Sequence, residues 1–311
     1  MKPLILGTRG SELALCQAEM VETALRAAHP HLQIERKVIN TMGDKRTDLR
    51  FSEFSAGAHL DKGIFTKELE VALENGEIDF AVHSLKDVPT VLDDQFFIAA
   101  VLPRAPIEDV LISRDGYTLE SLPQGAKVGT SSVRRIREIQ WLRPGVDCVE
   151  IRGNVPTRLR KLFLPSELDA VLLAKAGLVR LGLLSGNTIK IDGQDLSAVV
   201  LSCETFLPAA GQGAVGIEAR KNDTVTLEAL GAINDADTMA RVTAEREFLH
   251  ILKAGCQTPI GALTSIENHI LHMRVLVFDE ADNSKAPRDL QASAPLTEPK
   301  SLAAALVAQM H

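Results

Sequence analysis

Cysteine is scarce in this chain, and its few positions are scattered. Among the 311 residues there are four cysteines, Cys16, Cys148, Cys203 and Cys256, and no two of them form a Cys-x-x-Cys pair. Neither a zinc motif nor a disulfide framework is therefore predicted. We expect a cytoplasmic protein, since disulfide-dense scaffolds belong to oxidising compartments.

Long apolar segments are also lacking. No apolar run approaches the roughly 20 residues that a membrane-spanning helix needs. The apolar stretch at the N-terminus ends at Gly7, which is too early for the apolar core of a signal peptide. We expect this stretch to form a first buried strand, and we expect no membrane as a partner.

An excess of positive charge is missing too. Lys and Arg number 34 against 41 Asp and Glu, which gives a net charge of −7. Bulk electrostatics therefore disfavour nucleic acid as a partner, because proteins that bind it carry basic surfaces.

Sequence motifs for nucleotide binding are weak as well. The small-residue stretch 207–216 contains neither the Gly-Lys-Ser/Thr of a P-loop nor a dinucleotide fingerprint after a first βα turn.

The composition that is present, with 45% hydrophobic and 24% charged residues, is that of a globular protein. The length of 311 residues allows two or three domains. Apolar strand patterns alternate with helical ones, which predicts an α/β fold with mainly parallel sheets. A strand, a Gly-Thr pair and a helix start occur near 4–11 and again at 127–132, and 169–175 echoes 79–86. We expect two similar α/β lobes that face each other.

Two predicted crossings divide the chain. Pro103-Arg-Ala-Pro106 marks a passage between domains, and the small-residue stretch 207–216 suits a return. We predict a first α/β lobe formed by 1–102 and 208–231, a second by 106–207, and a small C-terminal α+β domain formed by 232–311.

The apolar periodicity also predicts individual elements. A loop without sustained period is expected from Thr41 to Gly63. Strands are expected at 4–7, 32–39, 78–82, 96–102, 127–129, 169–174, 262–264, 270–278 and 289–293, and helices at 11–28, 64–74, 236–252 and 298–310.

The segment 78–89 combines an apolar strand with a cluster of polar side chains. After the apolar run come His83, Ser84, Lys86 and Asp87, just before Pro89. In open α/β sheets, ligands bind beyond the carboxyl ends of the strands, so we place Asp87 at the centre of a candidate site. The alternatives are a surface ion pair with Lys86 and, for His83, a satisfied core position rather than a catalytic one.

Basic residues concentrate at three turns that follow apolar strands. The turns are Thr8–Ser11, Thr130–Arg135 and Arg152–Arg158. Helix N-termini expose free N–H groups, and arginines beside them favour carboxylates or phosphates. Each turn alone fits ordinary N-capping. Together the three turns predict a small polyanionic ligand.

Cys256 differs from the other cysteines in its neighbours. Gly255 and Gln257 flank it and Pro259 follows, which places it on a loop. Cys16, Cys148 and Cys203 fit inert, buried thiols. We therefore consider Cys256 a candidate for a reactive or covalently modified thiol.

These residues belong to specific motifs that follow one another along the chain. The motifs are Gly-Thr-Arg-x-Ser at 7–11, Lys-Gly-Ile-Phe-Thr-Lys-Glu-Leu-Glu at 62–70, His-Ser-Leu-Lys-Asp-Val-Pro at 83–89, Gly-Thr-Ser-Ser-Val-Arg-Arg at 129–135, Arg-Gly-Asn-Val-x-Thr-Arg at 152–158, Pro-Ala-Ala-Gly-Gln-Gly-Ala-Val-Gly-Ile-Glu at 208–218 and Gly-Cys-Gln-x-Pro-Ile-Gly at 255–261. By their number and order, the chain resembles the porphobilinogen deaminase family, also called hydroxymethylbilane synthases.

The resemblance implies a fold and a set of site residues. The fold would have two lobes like those of periplasmic binding proteins and a third domain with a dipyrromethane cofactor, attached covalently through Cys256. Asp87 would be the catalytic aspartate. The cofactor carboxylates would be held by Lys86, Ser132, Arg134, Arg135 and Arg158, and the substrate site would include Arg9, Ser11, Phe65, Arg152, Arg158 and Arg180, with Lys62 on a lid loop.

The resemblance also implies an activity. Such an enzyme deaminates the small molecule porphobilinogen, couples four units stepwise onto the dipyrromethane, and releases a linear tetrapyrrole for haem biosynthesis. A fixed aspartate would stabilise the cation that forms when ammonia leaves. The family further implies a monomer. Met42 and Ala58 depart from the family pattern around the lid.

Two alternative functions belong to other classes of protein. A non-catalytic anion-binding protein with two lobes would account for the arginine turns, although it gives Cys256 no purpose. A cysteine-nucleophile hydrolase would need a histidine base, for which His250 is near in sequence.

Overall fold

Three β-sheets with packed helices make up the part of the chain that the structure, a computed structural model, describes. The described residues are 2–41, 66–164, 167–254 and 258–310. The strands are β1 (Leu4–Thr8), β2 (Ile34–Val38), β3 (Phe80–Ser84), β4 (Phe96–Val101), β5 (Asp109–Ser113), β6 (Lys127–Gly129), β7 (Asp147–Val149), β8 (Ala170–Ala174), β9 (Leu184–Ser185), β10 (Thr188–Ile191), β11 (Gln194–Val200), β12 (Val215–Arg220), β13 (Ile260–Glu267), β14 (Ile270–Val277) and β15 (Arg288–Pro295).

Helices connect several of the strands in the first two sheets, and two more cover the third. They are α1 (Glu12–Ala28), α2 (Lys67–Glu74), α3 (Val133–Leu142), α4 (Val155–Arg160), α5 (Lys175–Arg180), α6 (Thr224–Gly231), α7 (Ala236–Ile251) and α8 (Pro299–Ala308). Within the described ranges, no helix is long and apolar enough to cross a membrane.

The first sheet has the order β2-β1-β3-β12-β4. Strands β1, β2 and β3 are parallel, and β12 pairs antiparallel with both β3 and β4. Hence β12 alone among these five strands runs in the opposite direction. Leu6 and Phe80 of the sheet are fully buried together with Val21 and Leu25 of α1, because the apolar residues of that helix recur at helical spacing.

The second sheet repeats this arrangement. Its order is β7-β6-β8-β5-β11-β10-β9, and β6 lies between β7 and β8 in parallel, as β1 lies between β2 and β3. Strands β5 and β10 run against the other strands of the sheet. Gly7 is the last residue but one of β1 and Gly129 the last of β6, and a threonine follows each of them. A methyl group on either glycine would approach neighbouring side chains closely, to 2.3 and 3.0 Å respectively. The predicted α/β class with mainly parallel strand directions is confirmed.

The third sheet is an antiparallel meander of β13, β14 and β15, covered by α7 and α8. β13 is longer than the predicted 262–264, because it pairs with β14 from Ile260 to Glu267. The two strands meet at a tight turn in which Asn268 and His269 both have positive φ, 50° and 62°, as a two-residue hairpin turn requires. The small C-terminal α+β unit is thus confirmed.

Both crossings between the first two sheets meet beside α7. Ala105 N–H donates to the carbonyl of Gly213 at 3.1 Å. Arg104 donates to both carboxylate oxygens of Glu245 on α7, at 2.6 and 2.8 Å, and to the carbonyl of Gln212 at 2.9 Å. This arrangement fixes the base of the cleft between the two lobes.

The predicted loop after Thr41 lies almost entirely outside the described residues. The same holds for Met42, Ala58 and Lys62, for which the resemblance implies a lid. It also holds for the first residues of the predicted helix 64–74, which is described as α2 from Lys67 onward.

Candidate active site

Asp87 lies in a short 3-10 turn, Leu85–Asp87, directly after β3. Leu85 is fully buried, and its N–H donates to the carbonyl of Ala214 at 3.1 Å. A methyl group on Gly216 would come within 2.7 Å of the Leu85 side chain. Leu85 therefore anchors the turn inward, and the two polar residues that follow it are half-buried at the cleft.

A second group of charges lies at the start of α3. Arg134 donates to Asp109 at 2.7 Å and to Glu138 at 2.6 Å, and Arg135 donates to Asp109 at 2.6 Å. All four side chains are buried. Burial by itself would raise the pKa of Asp109, but the two guanidinium groups outweigh it and hold that pKa well below its usual range. The Asp109 carboxylate thus orients both arginines.

Helix α4 supplies a third arginine, Arg158, which bonds to the turn before the helix. Asn154 caps the helix by accepting from Thr157 N–H at 2.9 Å, and Gly153 has a φ of +103°, which favours glycine. Arg158 donates through Nε to the carbonyl of Gly153 at 2.7 Å. This bond directs the remainder of the guanidinium away from its own turn.

The two lobes enclose a cavity of about 100 Å³ between them. Four cationic side chains line it: Lys86 from the first lobe, and Arg135, Arg158 and Arg180 from the second. Arg180 donates through Nη2 to the carbonyl of Gly213 at 2.7 Å, and its buried Nε has no hydrogen-bond partner among the described residues. Several predicted site residues are therefore brought together at one cleft.

Burial lowers the pKa values of three cationic groups at the cavity, and for two of them the closeness of other cations adds to the effect. Burial, together with the neighbouring Arg135, lowers the pKa of Lys86 to about 8. The same two causes lower the pKa of Arg158 to about 10, while Asp87 acts in the opposite direction on both groups. Burial also lowers the pKa of Arg180. An anionic ligand would relieve this mutual repulsion, so the cavity is built for carboxylates or phosphates.

Other predicted residues lie apart from the cavity lining. Arg134 lies beneath it in the buried ion-pair network. Ser11 caps α1 by accepting from Ala14 N–H at 3.3 Å, and Arg9 lies two residues before it. Ser132 precedes α3, and its side chain makes no such cap bond within the described residues. Arg152 is close enough to Arg158 to lower its pKa. Phe65 and Cys256 lie outside the described residues.

His83 is buried on β3 and faces β12. Its Nε2 lies 2.9 Å from a carboxylate oxygen of Glu218, which is also fully buried. Of the two interpretations of this histidine, the pairing favours a satisfied core position.

Some residues that shape the site were missed by sequence reasoning. Asp109 and Glu138, the carboxylates that hold the arginines, were not identified. One signal existed for Asp109: a carboxylate opens the wholly apolar run Val110-Leu-Ile112, and a buried charge must be paired. Nothing comparable in the sequence marks Glu138, which pairs with an arginine one helical turn away.

Comparison with known proteins gives the family. The family model described as "Porphobilinogen deaminase, dipyromethane cofactor binding domain" matches residues 4–228, and "Porphobilinogen deaminase, C-terminal domain" matches residues 239–311. The chain is 42% identical over 298 residues to the porphobilinogen deaminase of Syntrophomonas wolfei, covering 96% of this chain and 92% of that protein. It is 44% identical over 309 residues to that of Desulforudis audaxviator, covering 99% and 94%.

Among solved structures, the fold is similar to the VFT2 domain of BvgS from Bordetella pertussis, with 14% identity, a TM-score of 0.42, and coverage of 78% of this chain and 93% of that one. The family models and the curated relatives agree with the motifs along the whole chain. The chain belongs to the porphobilinogen deaminase family.

Proposed function

We propose that this protein is a hydroxymethylbilane synthase, which deaminates porphobilinogen and couples four units stepwise before releasing the linear tetrapyrrole. The observation that carries the proposal is the cavity lined by Lys86, Arg135, Arg158 and Arg180 with Asp87 beside it. Each porphobilinogen unit bears an acetate and a propionate, so a growing chain accumulates carboxylates. A cleft lined by four cationic side chains suits such a ligand.

Asp87 has the properties that the chemistry needs. Within the described part of the chain, no hydrogen bond engages its carboxylate, in contrast to Asp109. Its proposed task is to accept pyrrole N–H groups and to stabilise the cation left on the substrate when ammonia departs. A carboxylate held in a preorganised position stabilises such charge without reorganisation.

The residues fit the dipyrromethane that the matching family model names. The donors at the cleft are one ammonium and three guanidinium groups, and within the described ranges the buried Arg180 Nε lacks an acceptor. We propose that Lys86, Ser132, Arg135 and Arg158 hold the cofactor carboxylates, with Arg134 supporting Arg135 from beneath through Asp109. When bound, the dipyrromethane supplies the pyrrole carbon to which the first unit is joined.

The remaining assignments are also proposals. Cys256 is proposed to attach the cofactor through a thioether. The incoming unit is proposed to be bound by Arg9, Ser11, Phe65, Arg152, Arg158 and Arg180. The predicted division into 1–102 with 208–231, 106–207, and 232–311 is kept, as are a monomer and a cytoplasmic location.

The test of this function combines turnover with intact mass. Purified protein incubated with porphobilinogen should release ammonia and form hydroxymethylbilane. From cells able to make porphobilinogen, the wild-type protein should be heavier than the bare chain by one dipyrromethane, whereas Cys256→Ser should have the mass of the bare chain. Cys148→Ser, which changes a thiol outside the proposed site, is the matched control and should retain the added mass. A wild-type mass equal to the bare chain would contradict the cofactor assignment.

A further inference from the structure

The backbone immediately after Asp87 is held by an arginine from the C-terminal unit. Arg246 on α7 donates through Nη1 to the carbonyl of Val88 at 2.9 Å and through Nη2 to the carbonyl of Pro89 at 2.6 Å. The planar guanidinium therefore spans two consecutive carbonyls, a geometry that a lysine ammonium cannot reproduce.

This segment depends on contacts from outside the first sheet. The pairing of β3 with β12 ends at Ser84 and Val215. Beyond it, Leu85 N–H donates to Ala214, and Val88 N–H closes the 3-10 turn by donating to Leu85 at 3.1 Å. Pro89 has no N–H with which to continue a ladder. The turn is thus anchored from the first lobe at its start, and Arg246 contacts it at its end.

Neighbouring side chains on α7 have different targets. Glu245 pairs with Arg104 of the crossing, and Arg241 donates to Thr264 of β13 within the C-terminal unit. Arg246 reaches across to the segment that carries Asp87. Its position relative to that segment is therefore set by the helix of the C-terminal unit.

We propose that Arg246 is a positioning residue that holds the Asp87 carboxylate at its working position from the C-terminal unit. The inference rests on the proposed function, in which Asp87 is the catalytic carboxylate. A displacement of about 1 Å in a catalytic group can lower a rate on the order of a hundredfold. Loss of the Arg246 contacts should accordingly lower kcat, with little change in the KM for porphobilinogen.

The experiment compares Arg246→Gln, Arg246→Lys and the matched control Arg241→Gln from the same helix, each purified with its cofactor. Steady-state kinetics give kcat and KM, and hydrogen exchange followed by mass spectrometry reports on the peptide covering residues 84–90. We expect Arg246→Gln to lower kcat on the order of tenfold to a hundredfold and to accelerate exchange in that peptide. Arg246→Lys should recover part of both effects, and Arg241→Gln should change neither.

Several results would overturn the positioning role. In Arg246→Gln, these are an unchanged rate of exchange in the 84–90 peptide, an unchanged kcat, or a protein mass that lacks the cofactor. An equal loss of kcat in Arg241→Gln would also overturn it. Failure of the proposed function looks different. Wild-type protein that releases no ammonia from porphobilinogen would overturn the function and the catalytic part of this inference, while exchange in the 84–90 peptide would still decide whether Arg246 anchors the turn.

Discussion

Two aspartates that both influence Lys86 are assigned different roles because their surroundings differ. Asp109 is buried, and its two carboxylate oxygens accept from Arg134 and Arg135. Asp87 is half-buried at the cleft, and in the described ranges its carboxylate accepts no hydrogen bond. A carboxylate that is already saturated by guanidinium groups cannot respond to charge on a substrate. Asp87 can respond, which is the physical basis for its assignment.

Replacing Asp87 tests that assignment at the level of one residue. We expect Asp87→Asn to lower kcat on the order of a hundredfold or more, since the amide keeps the shape but not the charge that opposes the developing cation. Ammonia release under saturating porphobilinogen measures the effect, and a thermal unfolding scan checks the fold. Asp94→Asn, at an exposed position, is the matched control. Near-normal turnover of Asp87→Asn would refute the role.

Lys86 should make anion binding pH-dependent. Its pKa is lowered to about 8 by burial and by Arg135, so its positive charge is present below that pH and is lost as the pH rises through it. In the Cys256→Ser protein, which should lack the cofactor, affinity for porphobilinogen should therefore fall several-fold between about pH 7 and pH 9. Titration calorimetry measures this change. Lys86→Arg keeps its charge throughout, so an equal decline in that variant would assign the titration to another group.

Single elements were predicted well where the local pattern was strong. The helix expected at 11–28 is α1, with Ser11 as its N-cap, and the helix expected at 236–252 is α7. The apolar run before His83 gave a strand that ends at the polar cluster, as expected. These elements were predictable because periodicity and capping act over a few residues.

Element boundaries were predicted less well where partners decide them. β13 extends beyond 262–264 because β14 offers a full antiparallel register.

The two arginines at the start of α3 are predicted together as part of the ligand site, and the structure places them in different surroundings. Arg135 lines the cavity, while Arg134 is held below it by Asp109 and Glu138. Which of two adjacent arginines reaches the ligand depends on acids that come from another strand and from the next helical turn.

At the scale of the whole molecule, the ion pair of Arg104 and Glu245 joins all three units. Arg104 belongs to the first crossing and Glu245 to α7, and their side chains are only 3% and 1% exposed. Glu245 also accepts from Gly211 N–H on the return crossing, at 2.8 Å. This buried, hydrogen-bonded pair is therefore one of the contacts that set the relative position of the lobes and the C-terminal unit.

Breaking this pair should destabilise the whole protein. Arg104→Met leaves the Glu245 carboxylate buried without its cation, so the free energy of unfolding should fall by about 3 to 5 kcal/mol. Urea unfolding at neutral pH measures the loss. The double variant Arg104→Met with Glu245→Leu should lose less than the sum of the two single variants, because it leaves no unpaired charge. Strict additivity would show that the pair does not act as a unit.

The sequence by itself determined the α/β class, many of the elements and, through motifs in order, the family. These properties follow from local periodicity, charge at helix starts, and short motifs, all of which can be read along the chain. Only the tertiary structure decided that Lys86 meets Arg135, Arg158 and Arg180 in one cavity, that Asp109 and Glu138 hold Arg134 beneath it, and that Arg246 contacts the segment after Asp87. The reason is physical: apart from the pairing of Arg134 with Glu138, these contacts join residues far apart in the chain, so they arise only when the strands and helices that carry them pack together.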